Sequence, residues 1–436
     1  MRIKIKNLGP IYEFNFDLNK DLHLVYGKNN IGKSHGIAAV YLILKNISEK
    51  SNFGDMVNIL PNIVSNFVKK SESESNEKEI VAKEFRVLFT HTAFLFFNDI
   101  LVPNLHKSFA NSFENISNLE NKFINENFSI ELFFDFFDIK IGLDKDFILA
   151  LKKVGMRKYI NLEANDEPFS EKPIIDVLNK AFKEILTVSN AIYFLPASRS
   201  GLYQGMNATA PILADISRIR HLLSNKTYEI PSFSEPVADY FLQLISVNPN
   251  GKSDAFNRIA EKIENDILQG TIVFNNQNRK YEYVQHRTNM RLEVTSASSM
   301  ISELAPFVAF LKYILKEDKN GNKTSKCLFI EEPEAHLHPS VQVVLMQLFT
   351  EMANNGVKVI MTTHSDFMFN ELGNLILDNK IKAEQVSSMH LVMTEKGSID
   401  KGDMQATEDG IDDYNFSEVA ENQYERRMNL LDLKNQ

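Results

Sequence analysis

One cysteine and no tryptophan occur in 436 residues. A single thiol excludes a disulfide scaffold and a cysteine-based zinc site, and it is compatible with a reducing cytosol. Net positive charge is also lacking, since 48 Lys and Arg against 57 Asp and Glu leave a formal charge of −9. A uniformly basic nucleic-acid binder is therefore excluded, although a local basic groove is not. Apolar runs such as Phe94–Val102 stop well short of the ~18 residues that a membrane span needs. The opening Met1-Arg2-Ile3-Lys4-Ile5-Lys6 has no apolar signal-peptide core. A cytoplasmic protein without a membrane segment is expected. The bulk composition, 44% hydrophobic and 24% charged, excludes wholesale disorder, and 32 Phe with 13 Tyr is its one oddity.

The chain is long enough for two or three compact units, or for one large α/β domain with an insertion. Residues 2–6 alternate in the manner of a strand, and Asn7-Leu8-Gly9-Pro10 makes a turn. The apolar run 22–26 leads into a glycine-bounded loop, and 37–44 reads as a buried helix. Residues 50–190 differ in character. A polar stretch at 71–78 reads as a solvated loop. Beyond it comes a Phe-dense segment holding Phe85, Phe89, Phe94, Phe96, Phe97, Phe133, Phe134, Phe136 and Phe137. Its spacing is partly helical but sustains no heptads, which suggests a compact inserted helical subdomain rather than a coiled-coil arm. Residues 270–295 read as paired strands, and a helix is expected over 300–316. A polar turn at 317–326 then precedes buried strands at 327–330 and 357–361, with a helix between them and an edge strand at 389–394. Strands alternating with helices imply a largely parallel sheet. No internal repeat is found.

Three motifs carry chemistry. The first is Gly27-Lys28-Asn29-Asn30-Ile31-Gly32-Lys33-Ser34, which fits G-x-x-x-x-G-K-[ST] with a strand before it and a helix after. Such a loop turns backbone N–H groups toward one concavity, and the helix N-terminus, where His35 follows Ser34, adds positive potential there. Lys33 would reach the β- and γ-phosphates and the Ser34 hydroxyl would bind Mg²⁺. The second is Leu328-Phe329-Ile330-Glu331-Glu332-Pro333, an apolar strand ending in two adjacent carboxylates. Successive strand residues face opposite ways, so Glu331 can orient Mg²⁺ while Glu332 aims at the attacking water as general base. The third is Met361-Thr362-Thr363-His364-Ser365, a buried strand delivering a histidine at its C-terminal end, where ligand-facing residues of open α/β sheets sit. His364 is thus assigned to the γ-phosphate. A rival transition-metal site from Glu331, Glu332, Glu334, His336, His338 and His364 has no H-E-x-x-H and leaves the phosphate loop unexplained. No guanine-reading Asn-Lys-x-Asp is present (Asn19-Lys20-Asp21 places its aspartate one residue early), so ATP is favoured.

Together these residues resemble the ABC-type ATPases outside the transporters, the structural-maintenance-of-chromosomes (SMC), RecF and overcoming-lysogenization-defect (OLD) group. The string Glu331-Glu332-Pro333-Glu334-Ala335-His336-Leu337-His338-Pro339 is most similar to stand-alone OLD-like ATPases of bacterial defence and toxin loci. Residues 192–201 look like the segment that returns to the sheet after the insertion, and Ala297-Ser298-Ser299-Met300 resembles a degenerate ABC signature. The resemblance covers about residues 1–45 and 190–395. It implies an α/β fold of ABC/SMC-head type, with a mostly parallel core sheet, an antiparallel β lobe and the inserted helical, Phe-rich subdomain. The expected division is residues 1–49 and 191–395 for the ATPase head, 50–190 for the insert and 396–436 for an acidic tail.

The resemblance also implies that two heads sandwich two ATP molecules, each held by one chain's phosphate loop and the other's signature helix. Ser298 and Ser299 at that helix N-terminus suit a phosphate, and the resemblance puts Arg199 near the nucleotide or the dimer interface. Two departures stand out. Met300 replaces the signature glycine, which puts fast turnover in doubt, and Glu331 replaces the commoner aspartate. Arg218, Arg220 and His221 could contact nucleic acid or form a solvated helix face, and Cys327 reads as a small apolar strand residue.

Full OLD nucleases continue into a further catalytic domain, whereas 72 residues follow His364 here (436 − 364), with Asp400, Asp403, Asp409, Asp412 and Asp413 along a polar stretch. The expected function is therefore an ATPase that dimerises or assembles further on ATP and regulates a separately encoded effector, a nuclease or toxin, in antiphage defence. The alternative is a RecF/SMC-like repair ATPase that contacts DNA. Exposed phenylalanines of the insert are expected to dock the effector or a second protomer.

Overall fold

The chain opens with a hairpin whose alternation is visible in its burial. Strand β1 (Arg2–Leu8) turns Ile3 and Ile5 inward, and β2 (Ile11–Asp17) pairs with it antiparallel, Ile5 opposite Phe14. This computed structural model describes residues 1–48, 90, 93–113, 119–124, 126–144, 146, 148–156, 191–205, 233–245, 247, 254–315, 326–412 and 417–434. Residues 71–78, Phe85, Phe89, Arg218, Arg220, His221, the turn at 317–325 and Asp413 lie outside the described residues.

After the hairpin come β3 (Leu22–Gly27) and α1 (Lys33–Ser48). A wide π-type turn at Phe96–Leu101 leads into α2 (Val102–Ser112), followed by β4 (Ser129–Phe133), β5 (Phe137–Leu143) and β6 (Leu149–Met156). Next are β7 (Ala191–Leu195), α3 (Glu235–Ile245) and α4 (Asp254–Lys262). A three-stranded antiparallel lobe is made by β8 (Gly270–Asn275), β9 (Lys280–Gln285) and β10 (Arg291–Glu293). Helix α5 (Ser299–Ala309) widens into a π-type turn at Phe310–Ile314. The remaining elements are β11 (Lys326–Glu331), α6 (Pro339–Asn354), β12 (Val357–Thr362), α7 (Asp366–Leu377), β13 (Val386–Thr394), β14 (Gly397–Asp400) and α8 (Ser417–Lys434).

The main sheet has eleven strands in the order β6-β5-β4-β1-β2-β14-β13-β3-β12-β11-β7. From β7 to β13 every pairing is parallel, and from β6 to β2 every pairing is antiparallel. Parallel strands covered on both faces need nearly continuous apolar runs, as in Cys327-Leu328-Phe329-Ile330. One face packs Val25, Phe329 and Ile360 beneath α1, and the other packs Leu24, Leu328 and Met361 beneath α5, α6 and α7. Among the described residues no helix is long and apolar enough to cross a membrane.

Three expectations need correction. The described part of the insert is not a helical subdomain. Residues 129–156 form three strands that extend the head's own sheet through β1, with Ile5 opposite Ile130. The phenylalanines Phe97, Phe109, Phe128, Phe134 and Phe137 are accordingly fully buried in one core with Ile3 and Ile5, whereas among the described residues of the insert Phe94 and Phe123 are exposed. Residues 389–394 are no edge strand, because β13 lies between β3 and β14. Nor is the stretch after it only a solvated acidic tail. His390 N–H donates to Asp400 at 3.0 Å, and the His390 ring lies 2.8 Å from Asp403, before the exposed helix α8.

Candidate functional site

The phosphate loop runs from the end of β3 into α1, and its glycines are required by geometry. Gly27 has φ +135° and Gly32 φ +94°, both in the region that L side chains avoid. A Cβ on Gly32 would also stand 2.6 Å from Ile11 Cγ1 and 3.0 Å from Pro10 Cγ. Asn30 adopts φ +61° at the crest. Lys33 folds its ammonium back onto the loop, donating to the carbonyls of Gly27 and Lys28 at 2.9 Å each. Burial pulls its pKa down to about 8, against the attraction of Glu332 and Glu334.

Strand β11 brings its two carboxylates to the mouth of this loop. The Glu331 carboxyl accepts from Ala197 N–H at 3.2 Å, and the nearby Ser34 hydroxyl also favours its ionised form. Burial raises its pKa, as does the neighbouring Glu332, while those two donors oppose the rise. Glu332 turns the chain at φ +41° and donates its N–H to Thr362 O at 3.0 Å. Its Oε1 lies 3.9 Å from Nε2 of His364, at the end of β12. Burial and the Lys33 cation both lower the His364 pKa, with Glu332 working against them, so the imidazole is neutral near pH 7. The last carboxylate, Glu334, fixes that histidine from behind. It accepts from His364 N–H at 2.6 Å and from the Thr363 hydroxyl at 2.9 Å, and burial raises its pKa.

These residues enclose a cleft of about 610 Å³ lined by Pro10, Asn29 to His35, Glu332 and His364. His35 stacks on Phe113 at 5.6 Å along its rim. Backbone N–H groups at a helix N-terminus and one lysine suit a polyphosphate. The Ser34 hydroxyl and the Glu331 carboxylate are hard oxygen donors near one another, and they fit a Mg²⁺ ion that takes its other ligands from phosphate and water. The rival transition-metal cluster is not assembled. Among the described residues no group of three or more His, Cys, Asp or Glu is placed to hold a metal, and His338 instead caps α6 through Ser340.

The remaining predicted residues lie away from this cleft. Ser298 is the N-cap of α5, accepting from Ile301 N–H at 3.5 Å, and both it and Ser299 are exposed. Arg199 is not a surface arginine, since its side chain is only 1% exposed behind Glu331 and Glu332. Sequence reasoning missed Pro10 and the supporting roles of Glu303 and Glu334. Glu303 had a signal, being the single acid in the apolar stretch 299–311, and it is 0% exposed.

Residues 1–369 match the family model described as AAA ATPase domain. The chain belongs to the AAA ATPase domain family. A segment of 61 residues is 34% identical to the Old nuclease of Escherichia phage P2, covering 14% of this chain and only a tenth of that protein's length. Among solved structures to which the chain is similar is the SMC head domain from Thermotoga maritima, at 11% identity and a TM-score of 0.38 over 91% of this chain and 96% of that one. Another is an Smc head domain with an extended coiled coil, bound to the C-terminal domain of ScpA derived from Pyrococcus furiosus, at 12% identity and 0.39 over 98% of both chains. The expected phosphate-loop ATPase and α/β fold are borne out by the AAA ATPase domain match together with the strand–loop–helix topology of the main sheet.

Proposed function

We propose that this AAA ATPase domain protein binds ATP with Mg²⁺, hydrolyses it slowly, and uses ATP-driven pairing of two heads to regulate a separately encoded effector in antiphage defence. One observation carries the reading: Lys33, Ser34, Glu332 and His364 line a single cleft, and Glu331 ends the strand that delivers Glu332 to it. In this reading the loop N–H groups from Asn29 to Ser34 and the Lys33 ammonium hold the phosphates. Ser34 and Glu331 would hold Mg²⁺, which when bound neutralises charge on the phosphate oxygens. Glu332 orients and deprotonates the attacking water, and neutral His364 donates a hydrogen bond to the γ-phosphate. The exposed Ser298 and Ser299 leave the N-terminus of α5 free to meet a nucleotide held by a second head.

Sizing and hydrolysis assays on Glu332→Gln test this reading, with Lys33→Ala as control. Glu332→Gln should lose about 10²-fold or more in turnover while forming an ATP-dependent dimer, and Lys33→Ala should show neither hydrolysis nor dimer. Equal turnover in wild type and Glu332→Gln would remove Glu332 from its role. Failure of the neighbouring gene product to co-purify in any nucleotide state would remove the effector.

A further inference from the structure

We propose that Arg199 and Glu303 are positioning residues that couple the exposed N-terminus of α5 to the backbone of the two carboxylates ending β11. The inference rests on the ATP-hydrolysing reading and concerns how that site is regulated.

A fully buried guanidinium is tolerated only when its donors find acceptors and its charge finds a partner. Arg199 finds them on three separate segments. Nη1 donates to Glu331 O at 2.9 Å and to Pro196 O at 3.2 Å. Nη2 donates to Glu332 O at 3.4 Å and lies 3.5 Å from the Glu303 carboxylate. Nε donates to Glu303 O at 3.4 Å. Glu303 is held in turn by Ser200, whose N–H and hydroxyl donate to Oε1 at 3.3 and 2.5 Å. One planar fork therefore grips the carbonyls of both Glu331 and Glu332 together with the carbonyl and carboxylate of Glu303.

Position gives the network its meaning. Glu303 sits about one turn into α5, four residues after the exposed Ser299. A helix moves as a rigid unit, so a load taken at that end displaces Glu303 with it. At the other end of the network Glu332 holds φ +41°, a backbone state that a residue with a side chain keeps only where its surroundings impose it. One of those constraints is the bond from Arg199 to its carbonyl. Engagement of the α5 N-terminus by a phosphate thus reaches the peptide that aims the Glu332 carboxylate, through side chains that never touch the nucleotide.

The test uses the full chain with Arg199→Lys, which keeps the charge and loses the fork, and Glu303→Gln, which keeps the shape and loses the charge. ATP hydrolysis is measured against ATP and protein concentration, alongside thermal melting, and Ser299→Ala is added in each background. Each variant should lower kcat about tenfold at high protein concentration with KM for ATP changed by less than about threefold. Ser299→Ala should lower kcat in the wild-type background and change little further in Glu303→Gln, because both cut the same route. Unchanged kcat in both variants, or full additivity of Ser299→Ala with Glu303→Gln, overturns the coupling. A brace with no regulatory part would instead lower melting temperature and leave the kcat-to-KM split unmoved. Should Arg199→Lys fail to fold, the near-isosteric Glu303→Gln carries the comparison alone. A wild type without hydrolysis overturns the parent reading, and this inference with it, which separates that failure from one confined to the variants.

Discussion

Burial holds the Lys33 pKa near 8 while its ammonium rests on the carbonyls of Gly27 and Lys28. A bound polyphosphate would raise that pKa, so proton uptake is linked to binding. Below pH 8 the free protein already carries the charge. Above it, each binding event must also protonate the amine, and affinity for ATP should fall about tenfold per pH unit until the bound-state pKa is reached. Calorimetric titration at pH 7, 8 and 9 checks this, and a flat profile up to pH 9 would refute it. Lys33→Arg keeps its charge throughout that range and should flatten the slope, whatever its absolute affinity. Stability of the empty fold moves the other way. The folded pKa lies below the 10.5 of an unperturbed lysine, so this residue's contribution to stability improves as pH rises from about 8 toward 10.5.

Elements meet through a few buried polar links, and the one joining α5's π-type turn to the antiparallel lobe is the most exacting. Lys312 lies 2.8 Å from Glu264, whose side chain is 5% exposed, and also donates to Ile272 O at 2.9 Å. The same Glu264 oxygen accepts from Ile272 N–H at 2.7 Å. Lys312→Met would strand that carboxylate and should cost about 3–5 kcal/mol in urea unfolding, much of it restored by a second change, Glu264→Leu. Equal stability of wild type and Lys312→Met would show that water reaches the pair. None of this was legible beforehand, because Glu264 and Lys312 are 48 residues apart. What was legible shares a physical cause. Buried parallel strands such as 327–330, a continuous apolar run, and 357–361, broken only by Lys358, are apolar because both faces are covered, and the phosphate loop is local geometry imposed by its glycines. The strands β4 and β5 were missed although Phe137-Asp138-Ile139-Lys140-Ile141 alternates cleanly in burial, because the density of phenylalanine masked the period of two. The buried, bracing role of Arg199 could not be read, since its acceptors on Glu303 and Glu331 lie 104 and 132 residues away.

At the scale of the molecule, the pairing of β1 with β4 decides whether residues 93–156 are an appendage or part of the head. That pairing runs over five residue pairs, from Arg2 opposite Phe133 to Lys6 opposite Ser129. It places Phe97, Phe134 and Phe137 in one core with Ile5, Phe14 and the α1 residues Val40 and Leu44. Phe97 is 0% exposed, with its ring centroid 6.0 Å from Phe137 and 6.2 Å from Phe134. Phe97→Ala should therefore remove about 3–5 kcal/mol from the whole head rather than loosen a separate subdomain. Unfolding followed by far-ultraviolet circular dichroism and by tyrosine fluorescence, the usable intrinsic probe in a chain without tryptophan, should show one coincident transition in wild type and variant alike. Nucleotide at a hundred times its Kd should raise that same transition by roughly 2.7 kcal/mol in both proteins. An insert folding independently would behave differently. Phe97→Ala would then split the curve in two, and nucleotide would move only the component reporting the phosphate loop. Two separable transitions would return the insert to the status of its own domain, whereas one shared transition makes its phenylalanines part of the core that holds the phosphate loop in place.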